Sequence, residues 1–274
     1  WITFNNPEKQ NTMPVLAFKR VADLVHDAEA DDDVKVIIFK GNGSCFGTGA
    51  DAGELGYYIG YGSGETKGQK HRPSQRRRIY PDRNWLWGPG LGFETVIANC
   101  HKVTICQAHS YCYGGHFQIA CASDMVICSE DALFTHPVFR YLGVEGNIGL
   151  LIDIMGLKRV KELMFTGRPF TAREAEQYGL VNKVVPREEL DDWVMNYAQA
   201  CAIQTLDTIV MGKSLFEAHQ ALRGHLTSAI LGYIGHGWIT NLVLEPGEWS
   251  LVKERRTKGT KGMFTDRDLM LPPE

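Results

Sequence analysis

Residues 107–124 read QAHSYCYGGHFQIACASD. The segment continues an apolar run that begins at Val103, breaks at Gly114 and Gly115, and resumes with Phe117, Ile119, Ala120 and Cys121. This order predicts a strand, a tight turn and a helix. Two glycines at the mouth of a helix let the backbone approach a ligand closely. They also leave N–H groups without intrahelical partners, which stabilise negative charge. Taken alone, a Gly-Gly pair serves equally well to close an ordinary strand-to-helix turn.

Upstream lies a second glycine-rich stretch, Gly41 to Asp51, GNGSCFGTGAD. It follows Val34 to Phe39, VKVIIF, a short β-branched run suited to a buried strand. Before that strand the sequence predicts a helix, with Thr12 as its cap, Pro14 in its first turn, and a stripe of Leu16, Val21, Leu24, Val25 and Ala28. Glycines at 41, 43, 47 and 49 leave either a plain turn or a loop with exposed amides. A nucleotide loop is disfavoured, because no ribose-binding acid is placed as a βαβ unit requires and no GKS or GKT follows. The alternation of strand and helix predicts an α/β layer structure.

Composition narrows the function classes. A formal net charge of −3 gives no general attraction to nucleic acid or to an anionic membrane. No apolar run approaches the roughly 18 to 20 residues that span a bilayer. The seven cysteines lack CxxC spacing and sit mostly in apolar runs, the pattern of reduced core thiols in a cytoplasmic protein.

Three blocks occur in order: VKVIIFKGNGSCFGTGAD at 34–51, the strand and Gly-Gly helix at 103–124, and TGRPFTAREAEQYGLVNKVVP at 166–186. Together they resemble the crotonase (enoyl-CoA hydratase/isomerase) superfamily over most of residues 1–220. The resemblance implies a spiral core of ββα units over 1–200 and a helical trimerisation region over 201–274. It also implies a homotrimer or a dimer of trimers, and an acyl-CoA substrate that brings coenzyme A with it, with no permanently bound cofactor. In this family two backbone N–H groups polarise the thioester carbonyl. By resemblance they are those of Ala50 and Gly115. The physics agrees, since preorganised amides, one of them at a positive helix end, stabilise a developing oxyanion.

The chain departs from the family pattern at its acid/base positions. His116 replaces the third glycine of the turn, Gln118 stands where hydratases carry one glutamate, and Val138, after His136 and Pro137, stands where they carry the other. An amide cannot accept and return a proton near neutral pH. His116 can titrate there, or it can be a structural hydrogen-bonding group. Glu145, in LGVEGNIGLL, falls near the acidic position of members that lack the glutamate pair, such as ring-opening diketone hydrolases and the aryl-CoA dehalogenase. Its apolar surroundings suit a raised pKa, with His136 as partner, although a carboxylate there also suits a helix N-terminus. His109, His116 and His136 match no zinc spacing, so no metal is expected.

Between the glycine loops, Arg76, Arg77 and Arg78 belong to a basic segment that either grips coenzyme A phosphates or forms a solvated surface loop. Trp85 and Trp87 line the acyl pocket or pack the core. The reading is an acyl-CoA enzyme of the enoyl-CoA hydratase/isomerase type, working through an enolate. Its rivals are carbon–carbon hydrolysis of a cyclic 1,3-dicarbonyl and non-catalytic binding of CoA.

Overall fold

The computed structural model describes residues 1–51, 92–137, 146–239, 245–249, 254, 257–259 and 262. Five short strands form a parallel sheet in the order β1 (Ile2–Phe4), β2 (Val36–Gly41), β3 (Val103–Ala108), β5 (Met125–Ser129), β8 (Lys183–Val185). A smaller sheet joins β4 (Tyr111–Tyr113) in parallel to β6 (Leu133–Thr135) and β6 antiparallel to β7 (Phe170–Thr171). Along the chain, strands alternate between the two sheets: β3 then β4, β5 then β6, β7 then β8. The α/β class expected from the sequence is therefore the one found, with crotonase-like ββα repeats.

Both faces of the larger sheet are covered, which is why its strands read as near-continuous apolar runs. Side chains on a strand alternate faces. Ile37, Phe39, Cys106, Val126, Cys128 and Val184 join the main core. Their neighbours Ile38, Ile105, Ile127 and Val185 pack instead with Leu190, Val194 and Ala198 of α7 (Leu190–Ala202).

Helix α1 (Val15–Glu29) feeds the main core through Phe18, Val21, Ala22 and Val25. The expected stripe is corrected at its start: Leu16 is exposed, because it lies two residues and about 200° from Phe18 on the helical wheel. Thr12 is not the cap either. Pro14 occupies that position in an extended conformation, and no side chain caps the helix. After α2 (Phe93–Ala98) and β3, helix α3 (Gly115–Ala122) runs through the centre of the molecule with all eight residues buried. A helix that is enclosed on every side needs an apolar sequence, and HFQIACA departs from that at His116 and Gln118.

The C-terminal half is helical: α4 (Ile148–Met155), α5 (Leu157–Thr166), α6 (Ala172–Gln177), α7, α8 (Leu206–Leu222) and α9 (His225–Ile239). Thr171 and Glu174 form the reciprocal capping box that their spacing predicts at the start of α6. Six cysteines, Cys45, Cys100, Cys106, Cys112, Cys121 and Cys128, are buried thiols, and Cys201 is half-buried.

Candidate active site

The first glycine loop is held on both sides. Gly47 donates to the Tyr111 carbonyl at 2.8 Å and accepts from Tyr113 at 2.9 Å, which extends the β4 edge. Two residues on, the chain pairs with Met13: Met13 N–H donates to Gly49 O and Asp51 N–H to Met13 O, each at 2.8 Å. The Gly49 N–H is spent on His116 Nδ1 at 3.1 Å. Between them the Ala50 N–H donates to no group among the described residues. In this extended stretch it faces away from the Met13 strand.

Helix α3 begins beneath this loop. Gly114 N–H donates to Thr135 O at 3.0 Å, and the first intrahelical bond runs from Gln118 N–H to Gly114 O. The Gly115 N–H falls among the leading amides that the helix cannot satisfy, at its positive end. It too donates to no group among the described residues. The two loops touch at Gly49, which has φ +87°: a methyl there would stand 3.0 Å from the Tyr113 carbonyl oxygen and 3.1 Å from Gly115 N. Only glycine fits, and its presence brings two unspent amides, on separate segments, to one place.

One helical turn beyond Gly115, a narrow cleft opens between α2, α3 and α4. Glu94, Phe117, Gln118, Cys121, Asn147, Leu150 and Leu151 line it. Gln118 is 9% exposed, and its Nε2 has no hydrogen-bond partner among the described residues. Glu94 is 7% exposed. A methyl on Gly146 would lie 2.9 Å from Gln118 Nε2 and 3.1 and 3.2 Å from the two Glu94 oxygens, so amide and carboxylate converge on that backbone. Asn147 caps α4 by accepting from Leu150 N–H, and Ser228 Oγ accepts from Gly149 N–H at 2.7 Å, tying the Gly146 turn to α9.

The sequence candidates divide accordingly. Ala50 and Gly115 come together and Gln118 lines the cleft. His116 does not reach it: the imidazole is fully buried, edge-on to Phe4 and Phe46 at 4.5 and 5.1 Å between ring centroids, and is turned toward the first loop. Burial lowers its pKa to about 3, so it is neutral where a catalytic histidine would titrate. His136 is buried as well, packs edge-on against Phe117 and has its pKa lowered to about 3 by burial, which makes it a weak base. His109 sits apart against the Gly43 carbonyl. Among the described residues no three metal-binding groups converge. Arg76, Arg77, Arg78, Trp85, Trp87, Val138 and Glu145 lie outside the described residues.

Sequence reasoning passed over Glu94. The signal was present: FETVIA places one carboxylate among residues otherwise suited to a core.

The Enoyl-CoA hydratase/isomerase family model matches residues 1–229. Enoyl-CoA hydratase domain-containing protein 3, mitochondrial, from Homo sapiens is 26% identical over 266 residues, covering 90% of this chain and 75% of the relative. Carnitinyl-CoA dehydratase from Salmonella paratyphi A is 30% identical over 199 residues, 69% of each chain. Among solved structures, an enoyl-CoA hydratase from Mycobacterium smegmatis superposes with a TM-score of 0.79 at 26% identity, covering 98% of this chain and 89% of that one. An enoyl-CoA hydratase/isomerase from Xanthobacter autotrophicus Py2 gives 0.76 at 25% identity, covering 99% and 94%.

Proposed function

Because the chain belongs to the enoyl-CoA hydratase/isomerase family, we propose that it is an enzyme acting on an acyl-CoA thioester through an enolate. The thioester oxygen is held by the Ala50 and Gly115 N–H groups. The observation that carries this reading is the pair of unspent amides brought together where Gly49 meets Gly115. As a proton leaves the α carbon, negative charge grows on the carbonyl oxygen. Donors already fixed by the Met13, His116 and Thr135 hydrogen bonds around them need no reorganisation to meet it. The thioester itself supplies the acidified carbon, so the chemistry requires no resident cofactor.

Within the family's repertoire, double-bond isomerisation suits this chain better than hydration. Gln118 and Val138 replace the two glutamates that share acid and base duties in hydration, whereas a single carboxylate can carry a proton from one carbon to another. Glu145 remains the sequence candidate for proton transfer, and the Gly146 that follows it borders the cleft.

The test is turnover on a panel of enoyl-CoA thioesters of different chain length, for the parent chain and for Ala50→Pro, which deletes one donor. The parent is expected to move the double bond. A folded Ala50→Pro is expected to lose about 10² to 10³ in kcat. Parent-rate turnover by that variant overturns the role of Ala50. Opening of a cyclic 1,3-diketone without any need for CoA replaces the reading with carbon–carbon hydrolysis.

A further inference from the structure

Gln118, at a position where hydratases of the family carry a glutamate, shares its cleft with Glu94, a carboxylate that the sequence resemblance assigns no role. Gln118 follows Gly115 by three residues, about 4.5 Å along α3. Its buried Nε2 has an unspent donor, and Nε2 and both Glu94 oxygens face the same Gly146 backbone, each within 3.2 Å of where a methyl there would stand, which leaves the cleft a donor for a polar occupant. Packing ties Glu94 to the amide pair. Its neighbour Phe93 packs at a tilt against Phe18, 5.1 Å between centroids, and Phe18 lies so close to Gly115 that a methyl there would stand 2.6 Å from its ring. The helix carrying the carboxylate and the helix carrying the Gly115 amide are thereby fixed with respect to each other through well-buried rings.

From this geometry we propose that Glu94 is the base that takes the α-proton of the bound acyl-CoA. The inference rests on the reading of Ala50 and Gly115 as the thioester site. The Cα–H bond breaks and its proton passes to a Glu94 oxygen. The C–H electron pair becomes the Cα=C bond of the enolate, with the negative charge on the thioester oxygen. The carboxylic acid formed then returns a proton, to the α carbon in simple exchange or to a more distant carbon in isomerisation. Nothing else is consumed.

The experiment follows α-proton exchange of butanoyl-CoA in D2O by NMR for the parent chain, Glu94→Gln and Glu94→Asp, with butanoyl-CoA affinity and thermal midpoint measured alongside. The parent is expected to exchange. Glu94→Gln is expected to slow exchange by about 10²-fold or more, with affinity changed less than about 3-fold, and to lose the acid limb of the pH–rate profile. Glu94→Asp, with its carboxylate one methylene short, is expected to fold and exchange about 10-fold slower than the parent. Parent-rate exchange by a folded Glu94→Gln, or by Glu94→Asp where the glutamine variant does not fold, overturns the role of Glu94 and leaves the thioester reading standing. Loss of affinity in step with exchange also overturns it, in favour of a structural role. A parent that neither binds nor exchanges butanoyl-CoA overturns both readings together.

Discussion

The His116 ring occupies space that any side chain at position 47 would need. A methyl on Gly47 would stand 2.2 Å from Nε2 and 2.4 Å from the adjoining ring carbons. Gly47→Ala is therefore expected to cost about 1 to 3 kcal/mol and to lower turnover, because the displaced ring no longer holds the Gly49 N–H. The double variant Gly47→Ala/His116→Gly is expected to recover part of the loss, and thermal melts of the four proteins measure the coupling. The same buried imidazoles govern acid sensitivity. His116 and His136 have pKa values lowered to about 3, and His109 to about 4, in each case chiefly by burial. Since the unfolded chain binds these protons near pH 6.5 and the folded chain does not, their contribution is intact above pH 6.5 and is lost as pH falls, down to about 4 for His109 and about 3 for His116 and His136. At pH 5 the loss is about 2 kcal/mol for each histidine, a steep decline that urea titrations between pH 7 and 5 detect. Residue roles were the least legible part of the sequence. The two glycine motifs point to Ala50 and Gly115. The enclosure of His116 by Phe4 and Phe46, and the meeting of Glu94 with Gln118, depend on contacts between segments far apart in the chain.

At the scale of elements, α9 controls how closely the Gly146 turn is pressed against the cleft. A methyl on Gly232 would stand 1.9 Å from the Gly146 carbonyl oxygen, closer than any contact real side chains make. Gly232→Ala is expected to push the helix off the turn, lower the thermal midpoint by several degrees and reduce kcat, since the far side of that turn touches Glu94 and Gln118. Hydrogen exchange over residues 146–150 is expected to accelerate, and unchanged exchange with parent kcat would refute the coupling. Helix and strand identities were largely legible, because the 166–186 block carries its own cap, turn and strand signals. β4 escaped notice because three residues, YCY, acquire strand character only by pairing with β6 and the first glycine loop. Thr12 looked like a cap, but the chain is already committed to extended pairing with the first loop at Met13 and enters α1 only after Pro14.

On the scale of the whole molecule, α8 is too apolar for the surface it presents. Met211, Leu215, Phe216 and Leu222 are each at least 68% exposed, and Leu226 and Leu231 of α9 continue the patch. A patch of this kind on a globular chain marks an association surface. The trimer, or dimer of trimers, expected from the sequence is predicted to appear by light scattering as three or six chains. Leu215→Glu with Phe216→Glu is predicted to shift it to smaller species, and a monodisperse parent monomer would refute the assembly. The buried thiols have a further consequence, which concerns time. A thiol alkylates as its thiolate, and burial pushes the pKa of Cys100 up to about 11 and raises those of Cys45, Cys112, Cys121 and Cys128. Native chains thus react with iodoacetamide at these sites only during excursions that expose the interior. Mass increments collected over hours become a record of how often, and in how large a unit, the core opens. A single early increment at half-buried Cys201, followed by the rest in concert, would identify that unit as the core as a whole, since the buried thiols come from both sheets, helix α3 and the loops between them.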